Sequence, residues 1–310
     1  MKPAGLLVFF LLLSSCGHLN DPAANSSTSP AIDHRVAEIA RFREPLTPFF
    51  KTMVVQPGDW LESQPENGQT FDEYVGSNPT LPTDQRKTIY IQPVGKFSTE
   101  QLHVIQQTAD YLRAFYHLPV VLRDKLSIDG VTKEMVRVQY PDNMQIRTSY
   151  FLDDLLPKML PDDAAALLCF TNYDLYPGDT WNYVFGQASL EKRVGVWSLW
   201  RLAEDDRGRA SKDLFLDRTL KIAMHETGHM FSMRHCTKYE CLMSGTMHLD
   251  ETDRRPLDTC PECTMKIAWA MNYPPAERYK NLAEFWRKQG RTAEQNKMLE
   301  KARAVATIKE

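Results

Sequence analysis

The order of signals along this chain predicts an α/β domain of the mixed, α+β kind. Three observations carry that expectation. An apolar, β-branched run at Thr88 to Val94 (TIYIQPV) precedes a helical pattern from about Ser98 to Tyr116 and a second apolar run at Pro119 to Leu122. Strand–helix–strand order is how α/β layers are built. Further strand-like runs stand at Met135 to Tyr140, Ala166 to Thr171 and Arg193 to Leu202, and a long amphipathic helix follows from about Asp213 to Ser232.

Composition bounds the rest. The 310 residues are 43% hydrophobic and 25% charged, with net charge −3. These fractions fit a globular chain. The charge, with no long basic stretch, argues against a nucleic-acid partner.

The N-terminus has its own logic. Lys2 precedes the short apolar run Leu6 to Leu13 and then Ser14-Ser15-Cys16. The run is too short to span a bilayer and reads as a secretory signal. Its end resembles a bacterial lipobox, in which Cys16 would be lipidated and would anchor the mature chain to a membrane. The ordinary cleaved signal is the alternative. Gly17 stands after the cysteine where an aspartate would suggest inner-membrane retention, so an exported cell-envelope protein, at the outer membrane where one exists, is the expectation. The expected organisation is a signal at 1–15, a flexible Asn/Ser/Pro-containing tether at 16–45, a main domain at 46–290 and a charged helical tail at 291–310.

Within the main domain, residues 46–87 alternate turn residues and aromatics, as in PGDW (57–60) and ENGQTFDEY (66–74), and are expected to pack as an irregular extension. Ser98 with Gln101 makes a capping box for the first helix. Its apolar face is Leu102, Ile105, Ala109, Leu112 and Phe115 or Tyr116. Pro177-Gly178 marks a turn in the excursion before residue 193. Beyond 232 the chain is Cys-rich and irregular until a helix near Cys263 to Met271, and helical pattern resumes from Ala276, broken at Gly290.

The chemistry concentrates in His225-Glu226-Thr227-Gly228-His229, followed by His235. On a helix, residues i and i+4 project from one face, so His225 and His229 can reach one zinc ion. Leu216, Leu220, Ala223, Met224, Thr227 and Phe231 lie on the other side and would hold the helix on the core. Glu226 flanks the histidine face, where a general base could reach water on the metal. His235 is a third ligand only if the chain turns soon after His229, because a continued helix would carry it about 9 Å further along the axis. Glycine makes that turn in HExxHxxGxxH sites; here the position is Ser232. A left-handed backbone costs a non-glycine residue roughly 1–2 kcal/mol.

Cys169 sits in an apolar strand and reads as a buried structural residue. Cys236, Cys241 and the Cys260-Pro-Glu-Cys263 knuckle suit a closed tetrahedral zinc site. Two disulfides are the alternative in an exported protein.

The string His225 to His235, Cys236, Cys241 and Met243, followed by Cys260 and Cys263, resembles the archaemetzincin signature, HExxHxxGxxHCx4CxM with a later CxxC. Archaemetzincins are a branch of the metzincin zinc peptidases. The flanking DLYPGDTWNYVFGQAS and RRPLDTCPECTMKIAW also look like that family, and the likeness runs over about 46–290. It implies a metzincin-like fold: an upper subdomain with a mixed sheet and the active-site helix, and a smaller zinc-stapled lower subdomain whose methionine turn would be Met243. It also implies two zinc ions, a catalytic one on His225, His229 and His235 and a structural one on the four cysteines.

The expected activity is hydrolysis of a peptide or protein substrate by water that zinc activates and Glu226 deprotonates. Residues Val184 to Ser189 are expected to be an edge strand that aligns the peptide. A non-catalytic zinc-binding surface lipoprotein, motivated by Ser232, is the main rival, and hydrolysis of a non-peptide amide in the envelope is a second. His248 is read as a solvent-facing loop residue, and His103 and His117 as surface positions.

Overall fold

The structure, a computed structural model, describes residues 30–307 apart from 129, 140–142, 190–191 and 205–207. The signal, Cys16 and the start of the tether lie outside the described residues, as does Tyr140.

In chain order come helices α1 (Pro30–Ala40) and α2 (Arg43–Leu46), the short α3 (Trp60–Ser63) and α4 (Phe71–Gly76), strand β1 (Thr88–Val94), helix α5 (Thr99–Tyr116) and strand β2 (Val120–Leu122). Strands β3 (Val136–Gln139) and β4 (Asn143–Arg147), a π-helical turn at Tyr150–Leu155, and strands β5 (Ala164–Thr171), β6 (Asp174–Tyr176), β7 (Gly186–Ser189) and β8 (Val194–Ser198) follow. Helices α6 (Lys212–Met230), α7 (Leu249–Arg254), α8 (Pro261–Met271), α9 (Pro275–Lys288) and α10 (Thr292–Ala306) complete the chain.

The main sheet has five strands in the order β2-β1-β5-β8-β7. All pairs are parallel except the edge strand β7, which runs antiparallel to β8. Every residue of β5 is buried, as is all of β1 but Tyr90. That is why these strands read as continuous apolar runs: parallel strands covered on both faces lose the polar alternation. A smaller mixed sheet, β3-β4-β6, contains two strands the sequence did not announce, β4 and β6. At five and three residues with buried polar members such as Gln145 and Asp174, they carry no periodic signal.

Four expectations change. Residues 30–45, assigned to the tether, lie in helices that pack against α8, with Ile39 buried and Leu46, at the start of the expected main domain, buried beside them. The flexible composition of 20–30 masked a helical segment behind it. The tail beyond 290 is no appendage: α10 lies along α9, buries Met298, Ala302 and Val305, and sends Lys301 to Asp258 at 2.7 Å. In α5 the Ser98 capping box forms and Ile105, Ala109, Leu112, Phe115 and Tyr116 are buried as expected, but Leu102 is 36% exposed, and Val104, Thr108 and Tyr111 join the buried face. The last expected strand also ends early, at Ser198.

Candidate metal centre

Helix α6 is fixed before its histidines begin. Ser211 caps its N-terminus by accepting the Leu214 amide at 3.2 Å. Tyr116 Oη donates to the Met224 carbonyl at 2.6 Å, and Trp197 Nε1 to that of Ile222 at 3.3 Å. The helix ends at Met230, two residues sooner than its pattern suggests. Ser232 takes φ +63°, in the left-handed region. Met233 N then bonds Gly228 O at 3.1 Å and Ser232 N bonds His229 O at 2.8 Å. This pair of bonds is a Schellman ending, usually built on glycine. The serine hydroxyl adds an anchor glycine lacks, accepting the Thr80 amide at 2.9 Å.

That turn folds His235 back over the helix. The imidazole centroids of His225, His229 and His235 lie 4.6, 4.9 and 5.2 Å apart, and all three rings are buried. Each Nδ1 is engaged away from the centre. His225 Nδ1 donates to Leu242 O at 2.9 Å, His229 Nδ1 to Met233 O at 2.6 Å, and His235 Nδ1 reaches both carboxylate oxygens of Glu66, at 2.8 and 3.1 Å. The Nε2 atoms therefore carry the lone pairs and converge. Those of His225 and His229 stand 2.9 Å apart, and that of His235 is buried without a hydrogen-bond partner. Burial, and then the neighbouring His235, pull the His225 imidazole down to about 3; burial likewise holds His229 well below its ordinary value. Neutral imidazoles facing one point within 4.8 Å fit tetrahedral zinc with an open fourth position.

Glu226 is buried beside them, with Oε1 lacking a hydrogen-bond partner. Burial pushes its carboxyl up to about 8. Next to Glu226 and His225 lies a small cleft, also lined by Lys221, Ile222, Leu242, Ser244, Thr246, Thr252 and Arg255.

Met243 is buried directly beneath the helix, where a Cβ on Gly228 would lie 2.7 Å from its Sδ. A side chain at 228 would therefore have to displace buried Met243. Met243 O accepts the Cys236 amide at 2.8 Å, joining the turn to the cysteine cluster.

The sulfurs of Cys236, Cys241, Cys260 and Cys263 lie within 4.8 Å of one another, and all four are free thiols. Cys236 Sγ and Cys260 Sγ are 3.5 Å apart. A disulfide needs about 2.05 Å, whereas thiolates about 2.3 Å from one zinc sit roughly 3.8 Å apart. Cys241 Sγ also accepts the amides of Met243 and Cys260 at 3.4 and 3.2 Å. The donor set fits a closed zinc site, and the disulfide alternative is not what the fold contains. Cys169 is buried in β5 as expected, apart from this cluster.

Other histidines fall elsewhere. His248 is not a loop residue facing solvent: it caps α7, its Nδ1 accepting the Glu251 amide at 3.1 Å. It stands near Asp59 and Glu251, but those carboxylates already serve Arg254 and Arg255. His103 and His117 are exposed, His117 stacking on Tyr273 at 4.3 Å.

Sequence reasoning missed the contribution of 60–81. Trp60 packs edge-on against His235 at 5.3 Å, and its indole N–H and the His235 imidazole share Glu66. Tyr74 Oη donates to Phe231 O at 2.8 Å, and Gln69 Oε1 accepts the Arg234 amide at 3.1 Å. No spacing rule links these positions to the histidines; only an acidic residue and a tryptophan in one irregular stretch hinted at it.

The chain is similar to several known proteins. The profile of Peptidase family M54 matches residues 106–269. Archaemetzincin-2 of Homo sapiens is 35% identical over 262 residues, covering 74% of this chain and 72% of its own. Archaemetzincin-1 of Homo sapiens is 28% identical over 277 residues, 79% of this chain and 55% of its own. Among solved structures, an archaemetzincin from Methanopyrus kandleri superposes with a TM-score of 0.48 at 25% identity, covering 62% of this chain and 98% of that one.

Proposed function

The chain belongs to peptidase family M54, the archaemetzincin zinc metallopeptidases, and on that premise we propose that it cleaves peptide bonds with Glu226 as general base and His225, His229 and His235 as the ligands of a catalytic zinc. One observation supports this most: three buried imidazoles converge by Nε2 beside a buried carboxylate that has an oxygen to spare. When bound, zinc supplies a Lewis acid that brings the pKa of water at its open position to about 7 and polarises a carbonyl. Glu226 accepts the proton of the attacking water at its carboxylate and returns it to the leaving amine. A carboxylate whose affinity for protons is raised by burial is suited to both halves of that transfer. General acid–base assistance of this kind is worth typically 10²–10⁴-fold.

The peptide lies along β7, adding as an extra strand to the main sheet. This rests on β7 being the outermost strand and packing against α6. A second zinc, on Cys236, Cys241, Cys260 and Cys263, staples the chain beyond the Ser232 turn. We also propose that Cys16 is lipidated and tethers the domain to the cell envelope, on the strength of the Leu6 to Leu13 run and Ser14-Ser15-Cys16. Cys16→Ser should then move the protein from the membrane to the soluble fraction; an unchanged distribution would refute the anchor.

The decisive experiment combines metal analysis with cleavage of a broad peptide library. Wild type should cleave and hold two zinc ions. Glu226→Gln should keep both ions and lose at least about 10²-fold in rate. Full activity in Glu226→Gln removes the base from Glu226, and a zinc-loaded wild type that cleaves nothing restores the non-catalytic rival.

A further inference from the structure

We infer that Glu66 is the positioning residue for His235, and that the segment carrying it is a working part of the metal centre. The inference rests on the proposed zinc-binding role of the three histidines. Its geometry is direct: both carboxylate oxygens stand within hydrogen-bond range of His235 Nδ1, at 2.8 and 3.1 Å.

His225 and His229 donate to backbone carbonyls close to them in the fold, those of Leu242 and Met233. Both also sit on α6, which sets where they point. His235 lies beyond the helix, on irregular chain after the turn. Its ring needs orientation from outside, and a carboxylate 169 residues earlier supplies it. A carboxylate accepting Nδ1–H selects the tautomer with Nε2 free and makes that nitrogen a better donor to a metal.

Glu66 is itself held. Trp60 Nε1 donates to it, and the indole stands edge-on to the His235 ring at 5.3 Å and 80°. Trp60 is fixed through its amide, which donates to Glu251 Oε2 at 3.0 Å. Its ring fills the space that a Cβ on Gly245 would enter, 2.5 Å from that position. Glu66 and Trp60 both precede the 106–269 span that matches the family profile. The N-terminal segment thus packs onto the metal centre from outside that span.

The test is zinc affinity of the full chain, measured by competition with a chromophoric chelator, with His225→Ala reporting the cysteine site alone. Loss of an outer partner of a metal-bound imidazole typically costs 10–100-fold in affinity. Glu66→Ala should show a loss of that size at the histidines with the cysteine site unchanged. Glu66→Gln keeps an acceptor without charge and should fall between wild type and Glu66→Ala. Nitrogen-15 NMR of the metal-free imidazoles adds a signature: Glu66→Ala should lose the fixed Nδ1–H tautomer of His235. Zinc held at the histidines within twofold of wild type in both variants would overturn the inference. Equal weakening of both zinc sites in both variants would overturn it too, since that marks general destabilisation. Wild type that binds zinc yet cleaves nothing defeats the peptidase reading and leaves this inference standing.

Discussion

Ser232 Oγ accepts the Thr80 amide at 2.9 Å while Ser232 itself holds φ +63°. One residue thus bends the chain after α6 and ties 78–81 to the metal centre. A serine where the family carries glycine keeps the turn, so the position gives no support to a non-catalytic reading. Ser232→Gly should relieve roughly 1–2 kcal/mol of backbone cost and lose a hydrogen bond worth about 0.5–1.5 kcal/mol. Its urea midpoint should stay near wild type. Ser232→Ala keeps the strain and loses the bond, and should be the less stable of the two.

Gly228 and Met243 make a second tight pair. Gly228→Ala gains helix propensity of about 1 kcal/mol but drives a Cβ to within 2.7 Å of Met243 Sδ. Overpacking costs typically 1–3 kcal/mol. We expect net destabilisation, and partial relief in Gly228→Ala/Met243→Ala relative to the sum of the single changes. Additive thermal unfolding data would show that the contact is not the cause.

The pH dependence of the protein without metal at the histidines has a defined sign. The depressed pKa of His225 contributes stability that is present above 6.5 and lost as pH falls toward about 3. The raised pKa of Glu226 acts the other way: its contribution is present below 4.5 and lost as pH rises through about 8. Glu226→Gln should therefore gain on wild type between pH 5 and 8, by up to roughly 1.4 kcal/mol per pH unit. A stability difference that stays flat over that window would show that burial does not perturb Glu226.

The four clustered cysteines offer a test of the stapling site. Cys260→Ser should reduce bound zinc from two ions to one or none. It should also lower the unfolding midpoint more than Cys169→Ser, because the cluster joins the Met243 turn to α8 while Cys169 fills a strand. Equal effects of the two substitutions would argue against a metal at the cluster.

Much of this centre was legible because its spacing is local. His225 and His229 are one turn apart on any helix, so the pitch alone aligns them, and the CxxC pair at 260–263 is similarly self-contained. The need for a bend before His235 also followed from helix geometry, and Ser232 is where it occurs. β1 was bounded correctly because a strand buried on both faces is a continuous apolar run. The tertiary structure decided the rest. Glu66 meets His235, Thr80 meets Ser232 and Lys301 meets Asp258 across long stretches of chain. Such pairings depend on how the N-terminal segment and α10 close over the core, and burial of distant surfaces leaves no period in the sequence that joins them.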